Sequence, residues 1–126
     1  HIVRFIRTLP GMAGKPLYLY GRGDAGVACL YQAVMDETIA GVVMEKPPAT
    51  HREGAYITGI LRVMDIEQAC GLLAPRPLGL VDQHADYKSN WLTRVYARLG
   101  CPERLVETCQ SSALAVENVL RLGANA

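Results

Sequence analysis

PLYLYGRGDAGVACLYQAVMD, residues 16–36, decides how this chain is read. Leu17 to Tyr20 is a short apolar run of strand type, Gly21 to Gly26 is a glycine turn, and Ala25 to Met35 repeats apolar residues at helical spacing. A strand that feeds a helix through a tight glycine turn is a common seat of binding or catalysis in α/β proteins. Gly21, Gly23 and Gly26 spell G-x-G-x-x-G in that context, and Glu45 ends the next strand about 20 residues on. Read as a dinucleotide site, the glycines would admit a pyrophosphate to the helix amino terminus and Glu45 would take ribose hydroxyls. Asp24 inside the turn is a poor neighbour for phosphate. The plainer reading is a glycine turn that serves only to pack strand on helix.

Working outward, residues 1–9 carry Ile2, Val3, Phe5, Ile6 and Leu9 at helical spacing, stopped by Pro10 and Gly11. The uncapped start at His1 predicts that more chain precedes it. Ile39 to Met44 is the next strand, and Lys46 to Gly54 with its two prolines is a loop. Tyr56 to Val63 is weakly helical. Asp65 with Gln68 three residues later opens a helix to Leu73 as a capping box, and Pro75 and Pro77 close it. Leu78 to Val81 is a third strand and Asp82 to Lys88 a polar loop. Ser89 caps a helix that Gly100 ends, with Trp91, Tyr96 and Leu99 read as its core stripe. Arg104 to Glu107 is a fourth strand, and a last helix runs from Ser111 or Ser112 to Gly123.

Strands alternating with helices predict an α/β fold, a mostly parallel sheet of about four strands with helices on both faces. The strands are apolar runs without alternation, as two covered faces require. Such a sheet would leave the edge of strand 17–20 unpaired, which predicts a homodimer partner or a preceding half of the protein there.

Composition excludes several classes. The 126 residues suffice for one domain with a core, and half are hydrophobic. A net charge of +1 gives no electrostatic footprint for nucleic acid. No apolar run approaches the roughly 20 residues of a membrane span. Cys29, Cys70, Cys101 and Cys109 form no CxxC pair, so no zinc site is expected. Cys29 and Cys70 read as small buried hydrophobes, while Cys101 and Cys109 flank one strand and could pair. Tyr18, Tyr20 and Tyr31 read as packing between sheet and helix, and Arg76 between two prolines as structural.

A second pattern extends well beyond the turn. VRFIRTLPGMAGKPLYLYGRGDAGVACLYQAVMDETIAGVVME (3–45), LLAPRPLGLVDQHAD (72–86) and WLTRVYARLGCPERLVE (91–107) together resemble the second half of an α/β-hydrolase. The likeness is to esterases of the acetyl xylan esterase and dienelactone hydrolase kind. It implies a nucleophile elbow after strand 17–20, a catalytic acid after strand 78–81 and a histidine after strand 104–107. It implies a carbohydrate ester as ligand and no cofactor. Carried over residue by residue, the elbow serine falls on Gly23, which has no side chain. The neighbour whose N–H would face the oxyanion is Asp24, and a carboxylate there is repulsive. The acid falls on Asp86, with Asp82 as the other choice. TCQSS (108–112) holds no histidine. Two of three triad members are therefore missing, and the resemblance predicts an esterase-like domain without its own catalysis.

Asp24, Glu45, His51, Asp82, His84 and Asp86 all follow strand carboxyl ends, which places them on one rim. A one-residue shift would make Asp24 a nucleophile with His51 or His84 as base. Solvated loop charges are the plainer reading of the set. His84 with Asp86 is too sparse a pair for a metal site. A structural interaction domain with no ligand is the third reading of the whole.

Overall fold

The computed structural model describes residues 2–83, 90–109 and 111–124. The helices are α1 (Ile2–Thr8), α2 (Asp24–Met35), α3 (Ile66–Leu73), α4 (Asn90–Arg98) and α5 (Ser112–Ala124). The strands are β1 (Leu17–Arg22), β2 (Ile39–Glu45), β3 (Leu78–Val81) and β4 (Leu105–Thr108). All strand pairs are parallel and the order is β1-β2-β3-β4, so each helix between strands is a crossover. The α/β architecture and parallel sheet expected from the sequence are present. β1 and β4 are the edges.

Strand alternation sorts the core into two layers. Val42 and Met44 of β2 with Leu78 and Leu80 of β3 join Val27 and Leu30 of α2, Ile66 and Leu73 of α3, and Leu92 and Tyr96 of α4. Val43 and Val81 face the other way, onto Ala115 and Val119 of α5. Three crossover helices thus cover one face, and among the described residues α5 covers the other. A Cβ at Gly79 would sit 3.1–3.2 Å from Val43 and Val119, so the glycine lets α5 settle close. Gly123 has the same role over Tyr18 rather than ending the helix, which runs on to Ala124.

The stripe expected on α4 is corrected. Leu92 and Tyr96, four apart, are fully buried, whereas Trp91 is 39% and Leu99 55% exposed. The buried row is one residue out of phase with the row that starts at Trp91. Trp91 instead lies across Gly71 of α3, where a Cβ would meet its ring at 2.6 Å. Tyr20 is likewise not between sheet and helix: it is 49% exposed on the edge strand. Cys101 is buried, Cys109 exposed, and the two form no disulfide; Cys70 is buried as expected but Cys29 only half-buried. The Ser89 cap lies outside the described residues.

The capping box at α3 forms as read, and its acid does more. The Asp65 carboxylate accepts from the Ile66 N–H, the Thr50 hydroxyl and the His51 N–H, while the Gln68 side chain accepts from the Asp65 N–H. It therefore ties the long 46–65 connection to α3. Burial alone would raise its pKa, but the hydrogen bonds from Thr50, His51 and Ile66 outweigh burial and lower it. A folded pKa below the unfolded value contributes stability at pH above about 4 that is lost as pH falls through the folded pKa. Asp65→Asn is expected to cost about 1 kcal/mol at neutral pH. It should also flatten the acid limb of a stability-versus-pH curve below about pH 4. Urea midpoints of the two proteins from pH 2 to 7 check this, and parallel curves would refute it.

Candidate functional site

Each of the first three strands ends in the same way. Gly23 (φ 57°, ψ −132°), Lys46 (φ 48°) and Asp82 (φ 50°) follow β1, β2 and β3, all with positive φ. Each donates its N–H to the last carbonyl of the next strand. Gly23 bonds Glu45 at 2.8 Å, Lys46 bonds Val81 at 2.9 Å, and Asp82 bonds Thr108 at 2.9 Å. These bonds continue the parallel ladder one residue past the strands and turn the chain sharply outward. For Lys46 and Asp82 the left-handed conformation costs about 1 kcal/mol or more each, and strain of this kind concentrates at functional rims.

These residues frame a cleft of about 700 Å³ at the carboxyl ends of the strands. Gly23 and Asp24 form one wall, Lys46 to Ala49 and Glu53 another, and Asp82 with Gln83 the third. The Lys46 Nζ stands 3.1 Å from the Asp82 carboxylate, and both side chains are half exposed. An ion pair this exposed contributes under about 1 kcal/mol to stability. Asp24 is exposed and leans on the long loop: a Cβ at Gly54 would meet its Oδ1 at 2.6 Å. Among the described residues the space above Gly23 is open, with nothing within 4 Å of an added Cβ.

The rim expected from the sequence is thus partly assembled. Asp24 and Asp82 share the cleft, as does Gly23. Glu45 does not: its carboxylate accepts from the Tyr20 hydroxyl and pairs with Arg22 at 3.6 Å on the β1 edge. The hydrogen bond to Glu45 is the main cause that raises the Tyr20 pKa. His51 is corrected as a rim base. It is 3% exposed, its Nδ1 bonds the Ala55 carbonyl at 2.7 Å and its Nε2 meets the Tyr31 hydroxyl at 2.8 Å. With the carbonyl accepting from Nδ1–H, the phenol donates to Nε2, and both ring nitrogens are spent on structure. His84 and Asp86 lie outside the described residues. Among the described residues no cluster of three or more His, Cys, Asp or Glu could hold a metal ion, and no helix is long and apolar enough to cross a membrane.

Two of the three fingerprint glycines have a packing requirement. A Cβ on Gly21 would come within 2.6 Å of the Ala25 carbonyl and the Gly26 nitrogen, and one on Gly26 within 2.8 Å of the Gly21 oxygen. Gly23 alone is demanded by backbone conformation. Lys46 was not among the sequence candidates. Its place, directly after a strand as Gly23 and Asp82 are, was the available signal, but a lysine gives no hint of positive φ.

Comparison with known proteins adds no name: no family model matches the chain, and no curated protein or solved structure matches it.

Proposed function

We propose that the chain is an esterase-like α/β-hydrolase domain that has lost its own catalysis and keeps the rim cleft for an ester of the carbohydrate kind. The observation that carries the reading is Gly23. It occupies a sharp strand-to-helix turn with positive φ, the strained geometry that a nucleophile elbow uses to hold its serine up. Here the point of the turn has no side chain. The order of parts supports the same reading: elbow after β1, acid loop after β3, and Cys109 after β4 where the resemblance expects histidine. Asp24 beside the elbow would repel a developing oxyanion. Lys46 and Asp82 give the cleft polar walls suited to hydroxyl-rich ligands.

The dinucleotide reading loses its distinguishing features. Gly21 and Gly26 are explained by strand–helix contact, Glu45 is engaged by Tyr20 and Arg22, and Asp24 opens the helix with a negative charge. The test of the proposed reading is Gly23→Ser. The open space accepts the side chain and the positive φ costs about 1 kcal/mol. Without an imidazole after β4 to take its proton, the new serine is expected to hydrolyse p-nitrophenyl acetate no faster than the unmodified chain. A Gly23→Ser enzyme with turnover lost again on His84→Ala would overturn the view that the catalytic pair is gone.

A further inference from the structure

The opposite end of the sheet carries a second cleft, of about 430 Å³, at the amino-terminal ends of the strands. Four cations line it: Arg7 of α1, Lys15 before β1, Arg76 before β3 and Arg104 before β4. They are dispersed over nearly 100 positions of sequence, so no basic run announces them. Parallel topology gathers them, because every strand starts at this end.

The cluster is poorly compensated. Among the described residues Glu37 is the one lining carboxylate. Asp36 stands near it; hydrogen bonds from the Thr38 hydroxyl and N–H lower its pKa, with Arg7 and Arg76 acting in the same direction. Cations therefore outnumber acids two to one, in a chain whose whole net charge is +1. Among the described residues no carboxylate comes within ion-pair distance of any of the four. The arginines are half-buried and are held by neutral oxygens instead. The Arg7 Nη2 donates to the Thr38 carbonyl at 2.9 Å and its hydroxyl at 2.8 Å; the Arg104 Nη1 donates to the Pro75 carbonyl at 3.2 Å. These bonds fix the guanidinium planes without neutralising them. The Arg7 Nε is buried and has no acceptor among the described residues. Lys15 is exposed, and its backbone N–H donates to the Met12 carbonyl at 3.2 Å.

Like charges gathered in a partly desolvated cleft repel one another, and an anion relieves that repulsion. We propose that this cleft binds a small ligand through a tetrahedral oxyanion, a phosphate or sulfate ester. Fixed guanidinium forks match such a group, and its size suits the cleft. The site is independent of the rim cleft and of any ester chemistry there.

The test is calorimetric titration and thermal unfolding of the whole chain with inorganic phosphate and with sulfate, chloride making up constant ionic strength. Both anions are expected to bind with a measurable heat and to raise the unfolding midpoint above the chloride control. The tighter of the two at pH 8, where phosphate is dianionic, names the source. Lys15→Glu with Arg104→Gln is expected to weaken binding about tenfold or more, since each removes a charge-assisted contact. Lys15→Glu alone, at an exposed position, should weaken it by a smaller factor and keeps the test valid if the double variant misfolds. Arg62→Gln, distant from the cleft in the 3₁₀ turn Ile60–Arg62, should bind as the unmodified chain does. No response beyond chloride, or equal losses in Arg62→Gln and Lys15→Glu, would overturn the proposal.

Discussion

Gly21→Ala is expected to destabilise the fold by about 3 kcal/mol or more, the upper range for overpacking a rigid contact. The added methyl would stand 2.6 Å from three backbone atoms of the first turn of α2, the Ala25 carbonyl carbon and oxygen and the Gly26 nitrogen. Backbone cannot swing aside as a side chain tip can, so β1 and α2 would have to separate. That separation disturbs the core layer in which Val27 and Leu30 of α2 meet β2. Gly26→Ala meets the same contact from the other side, 2.8 Å from the Gly21 oxygen. The double variant should therefore cost less than the sum of the singles, because both relieve one clash by the same shift. Denaturant midpoints of the three variants measure this. A Gly21→Ala protein within about 0.5 kcal/mol of the parent, the range of an ordinary surface change, would contradict the packing account of these glycines.

The second large effect is expected at Arg76. Its Nη1 donates to the carbonyls of Ala33 at 2.8 Å, Asp36 at 3.2 Å and Ile39 at 2.9 Å. Ala33 and the cap residue Asp36 lie at the carboxyl end of α2, where their carbonyls also accept from the Asp36 and Ile39 N–H groups, and a cation there meets the favourable end of the helix dipole. The Tyr96 hydroxyl in turn donates to the Arg76 carbonyl at 2.8 Å, and burial raises the pKa of that phenol well above its ordinary value. One residue thus ties α2 and β2, through its side chain, and α4, through its carbonyl, to the start of β3. Arg76→Met keeps the apolar stem but removes the charged donor that three carbonyls share, two of which retain a backbone N–H, and a loss of about 2 kcal/mol is expected. Arg76→Lys should recover part of it, since an ammonium supplies the charge but not the planar fork. A Met variant as stable as the parent would show that water replaces the guanidinium without cost.

Much of the fold was legible because local signals and the global pattern agree. Each β-type run is bounded by Gly, Pro or a capping residue, and the Asp65–Gln68 box formed where the sequence put it. Arg76 between its prolines was readable as structural. What failed to read were facts of side-chain phase and of edges. Tyr20 looks like its neighbours in β1, but an edge position on the exposed face leaves its hydroxyl to Glu45. Trp91 is the largest side chain on α4, yet Leu92 and Tyr96 hold the buried row because Trp91 is already spent against Gly71. His51 follows β2 as a rim residue should, and the loop then folds it under, onto Tyr31. Lys46 and the basic cleft had no local signal at all. Backbone sign at one and convergence of four strand starts at the other are products of the assembled sheet.

We propose a rim that keeps the form of an esterase site without its chemistry. The most direct measurement is p-nitrophenyl acetate turnover by the unmodified, folded chain beside a heat-denatured control. No turnover above that control is the predicted result, since Gly23 offers no nucleophile and the segment after β4 no base. Turnover above the control, abolished by Asp24→Asn, would contradict the account and make Asp24 the nucleophile of a working enzyme.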